Sequence, residues 1–235
     1  QRLSLIDTLR AAVPWQRIRQ LQLKSSQNPS QPKILIRKDD LRVKRYQERN
    51  QTLTTFVVDA SGSAAINRLA EAKGAVELLL AECYVRRDQV ALISFRGSQA
   101  ELLLSPTRSL VRAKRSLASL PGGGGTPLAL AIDTAFALAK GSLKKGMTPT
   151  LVFLTDGRAN IARDGTPGRT QAQVDAEQSA KLASQMKVRS LWIDTSPQAR
   201  AEGEHIARLI GSYYLPLPHA RAAELSQAVL GALHT

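Results

Sequence analysis

The chain has 235 residues, of which 43% are hydrophobic, so it can bury one sizeable core but not two full domains with a linker. It has no run of eighteen apolar residues, which excludes a membrane span, and its one cysteine, Cys83, excludes an internal disulfide framework and favours a reducing, cytoplasmic compartment. The net charge of +14 favours an acidic partner; nucleic acid is the weaker interpretation, because only 4% of the residues are aromatic and no zinc module occurs.

Residues 1–50 form a basic N-terminal arm, with 12 Lys and Arg against 4 Asp and Glu. Apolar residues at helical spacing predict a short amphipathic helix over residues 1–19, which Pro14 ends or kinks. The stretch 25–32 is typical of a linker, and residues 33–46 predict a hairpin of two short strands. A solvated basic face remains the plain alternative to a binding role for this arm.

From residue 51 to residue 235 the pattern predicts one domain in which strands alternate with helices. The predicted strands cover residues 54–58, 90–95, 101–104, 150–154 and 190–193. The predicted helices cover residues 64–85, 110–120, 127–140, 171–187, 205–210 and 220–233. Apolar strands separated by helices indicate an α/β fold, a doubly wound, mostly parallel sheet flanked by helices on both faces.

Three polar clusters stand where the chain leaves a predicted strand or enters a predicted helix. Asp59, Ser61 and Ser63 follow the first strand directly, and alternate residues of an extended loop can converge on one point. Thr126 follows four glycines and, before Pro127, is also typical of a helix N-cap. In open α/β sheets, sites lie beyond the carboxyl ends of the strands. We therefore expect these clusters to meet at one edge of the sheet.

The third cluster contains Asp156, which follows the strand at 150–154. Two carboxylates and three hydroxyls, without a nearby His or Cys, form the oxygen ligand set that suits a small hard cation such as Mg²⁺. Two carboxylates neutralise one divalent cation, which leaves it able to bind an Asp or Glu of a partner. The interpretation is an adhesive metal bridge, and no catalytic residue is assigned in this chain.

This constellation resembles the metal-ion-dependent adhesion site of von Willebrand factor A (integrin I-type) domains. The resemblance covers residues 51–235 and implies a Rossmann-like sheet with one bound metal. The five residues that match the motif are Asp59, Ser61, Ser63, Thr126 and Asp156. In that family the serines and the threonine commonly contact the metal directly, while the aspartates often act through water.

A narrower resemblance is to the C-terminal domain of magnesium chelatase D subunits. It is carried by the stretches RVKRYQERNQTLTTFVVDASGSAA, AKGAVELLLAECYVRRDQVALISFRG, SPTRSLVRAKRSLASLPGGGGTPLA and TDGRANIARDG. Those enzymes insert Mg²⁺ into protoporphyrin IX with ATP hydrolysis, in chlorophyll and bacteriochlorophyll synthesis. The resemblance implies a bacterial cytoplasmic protein, or one of the plastid stroma in a plant or alga.

The same resemblance implies the partners of this chain. They are an AAA+ ATPase subunit, a porphyrin-binding subunit and an acidic, proline-rich linker of the parent chain, whose charge complements the basic arm. That linker and the AAA+-like module of D subunits are absent here, and the chain begins at Gln1, so we expect a piece of a longer protein. Mg²⁺ is the expected metal, with Mn²⁺ as an alternative in vitro.

Other interpretations of the same residues remain open. Asp59 and the two serines after it are also typical helix N-cap residues. A metal-dependent phosphotransferase or hydrolase could use Asp59 or Asp156, but the sequence offers no nucleophile or general base for it. A cobalt chelatase, or another A-domain assembly with an AAA+ ATPase, would keep the adhesive site. The four glycines at 122–125 lack the lysine of a phosphate-binding loop, so no ATP site is expected.

Arginines near the ends of predicted strands are candidate contacts around the metal, or else part of a solvated face. They are Arg86, Arg87, Arg96, Arg108, Arg158 and Arg163.

Overall fold

The fold is described for seven stretches of the chain in a computed structural model. They are residues 2–23, 34–44, 51–61, 79–120, 122–196, 198 and 201–216. Contacts within the chain divide it into two units, Gln1–Arg49 and Asn50–Thr235. Among the described residues, no helix is both long and apolar enough to cross a membrane.

The N-terminal unit consists of short elements. They are β1 (Arg2–Leu3), α1 (Leu5–Ala12), a 3-10 turn (Val13–Trp15), α2 (Gln16–Leu23), a second 3-10 turn (Lys38–Asp40) and β2 (Val43–Lys44). The predicted amphipathic helix is therefore present, and Pro14 interrupts it with a 3-10 turn. β1 and β2 pair in antiparallel orientation.

The predicted hairpin over residues 33–46 is wrong for the residues described. The backbone N–H and C=O of Leu35, which a hairpin would pair with another strand, bind the side-chain amide of Gln16 at 2.8 Å each. The turn at Lys38–Asp40 is held by the Asp40 carboxylate, which accepts from the Arg37 N–H at 2.8 Å. Local side-chain hydrogen bonds thus replace the strand pairing that the apolar pattern predicted.

A buried ion pair between Arg19 and Asp40 links α2 to the second 3-10 turn. Both guanidinium Nη atoms contact the carboxylate, one of them at 2.9 Å. The hydrogen bond from Arg19, and then that from the Arg37 N–H, lower the pKa of Asp40 from 3.8 to about 2. Because a depressed pKa favours the ionised carboxylate in the folded unit, this pair stabilises the fold at neutral pH.

We expect this stabilisation to be complete above about pH 4 and to disappear as the pH falls from about 4 towards 2, through the folded pKa of Asp40. Protection of the Arg37 amide against hydrogen exchange, corrected for the intrinsic rate, should fall over that window. Asp40→Asn should lose this pH dependence, whereas the exposed neighbour variant Asp39→Asn should keep it. A profile that is identical in wild type and Asp40→Asn would contradict the assignment.

The larger unit contains the main sheet and its helices. Its strands are β3 (Thr52–Asp59), β4 (Gln89–Arg96), β5 (Gln99–Thr107), β6 (Thr148–Thr155), β7 (Arg189–Asp194) and β8 (Tyr213–Pro216). The helices described are α3 (residues 79–85), α4 (Leu110–Ala118), α5 (Leu128–Lys144), α6 (Arg169–Ser184) and α7 (Ala201–Ile210). Residues 64–78 of the helix predicted at 64–85, and the helix predicted at 220–233, lie outside the described residues.

The six strands form one sheet in the order β5-β4-β3-β6-β7-β8. All neighbouring pairs are parallel except β4 and β5, which form an antiparallel hairpin. β4 lies on one side of β3 and β6 on the other, so the winding direction reverses between β3 and β6. That reversal is the topological switch point at which open α/β sheets bind ligands.

Side chains that alternate along the strands build a core on each face of the sheet. On one face, Phe56 and Val58 of β3 pack with residues of α3 and α4, among them the buried Cys83. On the other face, Val57 packs with α5, α6 and α7, where Phe153 and Trp192 stack with ring centroids 5.3 Å apart. Helices thus cover both faces, and the predicted doubly wound, mostly parallel α/β fold is confirmed.

Candidate metal centre

Asp59 and Asp156 lie at the same edge of the sheet. Asp59 is the last residue of β3, and Asp156 directly follows β6, the parallel neighbour of β3. Both are therefore at the carboxyl ends of adjacent strands, at the switch point. Asp156 is 7% exposed, and Asp59 is partly buried.

Backbone hydrogen bonds bring two further loops to this edge. The Ala60 N–H donates to the Phe95 carbonyl at the end of β4, at 3.1 Å, and the Ala60 carbonyl accepts from the Gly123 N–H at 2.9 Å. Gly124 has a φ of +92°, and a Cβ there would lie 2.9 Å from the Gly97 nitrogen, so only glycine fits this close approach. The glycine loop is thereby held against the loop that follows Asp59.

The packing of these loops brings hydroxyl and carboxylate oxygens together. Thr126 Oγ1 donates to Ser61 Oγ at 2.6 Å, although the two residues are 65 positions apart. Asp59 Oδ1 accepts from the Ser61 N–H at 2.9 Å, and its Oδ2 accepts from Thr155 Oγ1 at 2.8 Å. Three of the predicted ligands therefore form one hydrogen-bonded group, and Ser63 lies outside the described residues.

Thr126 does not cap a helix as its position before Pro127 predicts. The N-cap of α5 is Pro127, which makes no side-chain capping bond. The hydroxyl of Thr126 is directed to Ser61 instead, and its backbone is held by Asn160, whose Oδ1 accepts from the Thr126 N–H at 2.6 Å. Thr126 thus lies beside Ser61, and the N-cap prediction for it is wrong.

Asp156 is held by Arg158 in the loop after β6. The Arg158 N–H donates to Oδ1 at 3.1 Å, and the guanidinium donates to Oδ2 from Nε at 3.0 Å and from Nη2 at 2.8 Å. Between them, Gly157 has a φ of +75° and donates its N–H to Thr155 Oγ1 at 3.1 Å. Thr155 therefore links the loop of Asp156 to the carboxylate of Asp59.

The environment of Asp59 favours a nearby cation. Burial raises the pKa of Asp59 from 3.8 to about 6, the hydrogen bonds from Ser61 and Thr155 oppose that rise, and the charge of Asp156 adds to it. Two carboxylates at one edge of a sheet repel each other and are poorly solvated. A divalent cation among these oxygens would stabilise the ionised form of both.

The donor set also indicates which kind of metal the site suits. Among the described residues there is no group of three or more His, Cys, Asp and Glu side chains that could hold a metal ion. The side chains of Asp59, Ser61, Thr126 and Asp156 offer oxygen donors and no nitrogen or sulfur donor. Such donor sets suit Mg²⁺ or Mn²⁺ rather than zinc or copper. The residues present therefore fit a hard divalent cation.

Thr155 stands in the third polar cluster of the sequence, but its supporting role and that of Asn160 were not predicted. Each acts through a hydrogen bond to a residue far away in the chain, Thr155 to Asp59 and Asn160 to Thr126. The spacing of residues carries no signal for such contacts. Only the position of Thr155 at the end of a buried strand could have suggested its role.

Topology separates the candidate rim arginines into two groups. Arg158 contacts Asp156, and Arg96 is exposed at the carboxyl end of β4, so both lie at the edge that holds the site. Arg86, which pairs with Asp88 at 3.1 Å, and Arg87 precede β4 at the opposite edge. Arg108 follows the antiparallel strand β5 and so also lies at the opposite edge. Arg163 pairs with Asp133 of α5 at 3.2 Å.

Comparison with known families agrees with this geometry. A family model for the von Willebrand factor type A domain matches residues 54–158, which include Asp59, Ser61, Thr126 and Asp156. The chain carries a von Willebrand factor type A domain. The fold that the sequence predicted is confirmed by this match.

The chain is also homologous to magnesium-chelatase D subunits, as its sequence motifs predicted. The magnesium-chelatase 60 kDa subunit of Cereibacter sphaeroides is 49% identical over 234 residues, which cover 98% of this chain and 40% of that protein. The magnesium-chelatase 67 kDa subunit of Chlorobaculum tepidum is 41% identical over 239 residues, which cover 97% of this chain and 38% of that protein. The chain therefore spans about two fifths of the length of these curated relatives.

Solved structures of low sequence identity share the fold. The von Willebrand factor domain of the type V pili tip protein Mfa5 from Porphyromonas gingivalis superposes with a TM-score of 0.62 at 12% identity. The match covers 77% of this chain and 95% of that domain. At this level of identity the similarity supports the fold alone.

Proposed function

We propose that this chain is an interaction domain of a magnesium chelatase, and that a resident Mg²⁺ at the candidate metal centre captures a carboxylate of another subunit. The proposed ligands are Asp59, Ser61, Ser63, Thr126 and Asp156. The observation that supports it most is the 2.6 Å contact between the hydroxyls of Ser61 and Thr126, beside the carboxylate of Asp59. Segments distant in the sequence converge there on oxygen donors of the type that Mg²⁺ prefers.

The charge balance of the site favours adhesion. Asp59 and Asp156 neutralise a divalent cation and the hydroxyl ligands add no charge, so the metal can attract one further anionic oxygen. A carboxylate of a partner supplies that oxygen with a charge-assisted bond. The metal supplies the link between two proteins, and the residues of this chain hold it at the sheet edge.

The homology to magnesium-chelatase subunits supports the choice of assembly. The proposed partners are the AAA+ ATPase subunit and the porphyrin-binding subunit of a chelatase that inserts Mg²⁺ into protoporphyrin IX in chlorophyll or bacteriochlorophyll synthesis. The basic N-terminal arm, with 12 Lys and Arg in the first 50 residues, would bind an acidic linker of the parent protein. In this proposal the domain aligns the other subunits and has no catalytic residue of its own.

A pull-down of the ATPase and porphyrin-binding subunits tests the bridge. We expect wild type to bind in Mg²⁺ and to release its partners in EDTA, because the bridging carboxylate needs the metal. Ser61→Ala removes one proposed ligand and should weaken binding in Mg²⁺ by at least about ten-fold, as disturbances around metal ligands do. Ser98→Ala, which removes an exposed hydroxyl from the β4–β5 turn at the same edge, is the matched control. Equal binding in Mg²⁺ and EDTA would rule out the bridge.

A further inference from the structure

Arg158 binds both oxygens of a proposed metal ligand. Its N–H contacts Asp156 Oδ1 at 3.1 Å, and its guanidinium contacts Oδ2 through two nitrogens at 3.0 and 2.8 Å. The Asp156 side chain is 9% exposed, whereas that of Arg158 is 43% exposed. The guanidinium therefore covers the carboxylate from the solvent side of the site.

The loop that carries Arg158 is fixed by its packing. A Cβ on Gly157 would lie 2.4 Å from the Cα of Gly203 in α7, so the loop rests directly on the helix backbone. The Gly157 N–H is also held by Thr155 Oγ1. The backbone thus keeps Arg158 within reach of Asp156, while its long side chain is 43% exposed to solvent.

Arg158 and a divalent cation would each neutralise the negative charge of Asp156. The hydrogen bond and charge of Asp156 raise the pKa of Arg158, and the charges of Glu202 and Asp59 add to the rise. An arginine guanidinium is effectively always protonated in proteins, so Arg158 keeps its positive charge beside Asp156. A cation bound to the oxygens of Asp156 would repel it and compete for the same lone pairs.

We propose that Arg158 competes with Mg²⁺ for Asp156, and that metal binding releases the guanidinium to form a second contact with the carboxylate of the partner. This inference rests on the proposed function. Arginine suits the second role because its planar group binds a carboxylate through two parallel hydrogen bonds. Arg158 is thus a positioning residue that couples occupancy of the metal site to capture of the partner.

The test separates metal affinity from partner affinity. By titration calorimetry with Mg²⁺, Arg158→Gln should bind the metal about five-fold more tightly than wild type, the change expected when one partly exposed ion pair no longer competes. In the pull-down at saturating Mg²⁺, the same variant should bind the ATPase or porphyrin-binding subunit more weakly, by about five-fold or more. A purely structural role for Arg158 would not move the two affinities in opposite directions.

Two controls and a spectroscopic readout complete the experiment. Arg189→Gln removes an exposed positive charge at the start of β7, at the opposite end of the strands, and should change neither affinity by more than about two-fold. Arg158→Lys keeps the charge and should restore part of the partner binding. In wild type, the Nε–H resonance of Arg158 should shift on addition of Mg²⁺, as its hydrogen bond to Asp156 is lost.

If wild type binds Mg²⁺ and Arg158→Gln binds it no more tightly than wild type, this inference is overturned. The proposed function is then left intact. A wild-type chain that binds no Mg²⁺ would overturn the proposed function and this inference together. A thermal melt of each variant identifies any loss of folding. Should Arg158→Gln fail to fold, the Nε–H resonance of wild type decides the question alone.

Discussion

Asp59→Asn is expected to weaken Mg²⁺ binding by at least about 100-fold while the domain keeps its fold. The variant removes one of the two negative charges of the proposed metal site. A unit charge about 4 Å from another contributes a few kcal/mol near a protein surface, and about 2.7 kcal/mol corresponds to 100-fold in affinity. Titration calorimetry with Mg²⁺ measures the loss.

The fold should survive because asparagine reproduces the shape and most of the hydrogen bonds of Asp59. Its amide oxygen can accept from the Ser61 N–H, as Asp59 Oδ1 does at 2.9 Å. Its amide nitrogen faces Thr155 Oγ1, which can turn from donor to acceptor. The change also removes a carboxylate whose pKa burial raises to about 6, so no stabilising charge is lost at neutral pH.

Asp164→Asn is the matched control for this experiment. Asp164 is an exposed carboxylate in the loop after β6, where it accepts hydrogen bonds from Thr166. Its removal changes the net charge by the same amount and should leave Mg²⁺ affinity within about two-fold of wild type, because screening weakens distant exposed charges. If Asp59→Asn binds Mg²⁺ as tightly as this control, Asp59 is not a ligand.

The sheet and the edge that carries the site could be predicted because they depend on local patterns. Uninterrupted apolar runs identified the buried strands, and Asp59 and Asp156 stand at the carboxyl ends of two of them. Once the strands are parallel and adjacent, their carboxyl ends meet at one edge by geometry alone. The position of Asp59 and Asp156 at one edge followed from these two steps, whereas the glycine loop that brings Thr126 to Ser61 is held by separate backbone contacts.

The contact of Asn160 could not be predicted because it joins residues that are distant in the chain: Asn160 fixes the backbone of Thr126, 34 positions away. Arg158 was named as a candidate contact around the metal, but its hydrogen bonds to Asp156 were not predicted. β8, the outermost strand of the sheet beside β7, was not predicted, for another reason. Only four residues long, Tyr213–Pro216, it is too short to show a periodic pattern.

The failed hairpin in the basic arm illustrates the same limit. Residues 33–46 have the apolar pattern of two strands. However, the side chain of Gln16, 19 positions before Leu35, binds the N–H and C=O of Leu35 that strand pairing would have used. The structure also buries Asp40, in the turn at Lys38–Asp40, against Arg19. A buried polar side chain in a small unit redirects the backbone in a way that hydrophobic periodicity does not record.

Gly157→Ala is expected to destabilise the domain by about 2–4 kcal/mol, for two separate reasons. Its φ of +75° lies in the left-handed region, which costs a residue with a Cβ about 1 kcal/mol. The new Cβ would also lie 2.4 Å from the Cα and 2.9 Å from the nitrogen of Gly203, and these backbone atoms of α7 cannot move as a flexible side chain would. Overpacking of this kind adds about 1–3 kcal/mol.

Gly146→Ala separates the two contributions. Gly146 has nearly the same φ, +73°, but a Cβ there would meet nothing within 4 Å, so only the backbone strain of about 1 kcal/mol applies. Urea unfolding of both variants and of wild type measures the free energies. The difference between the variants isolates the contact of the Asp156 loop with α7. If both variants lose the same free energy of unfolding, the contact between Gly157 and Gly203 adjusts without an energetic penalty. The loop that holds Asp156 and Arg158 would then not be fixed by that contact.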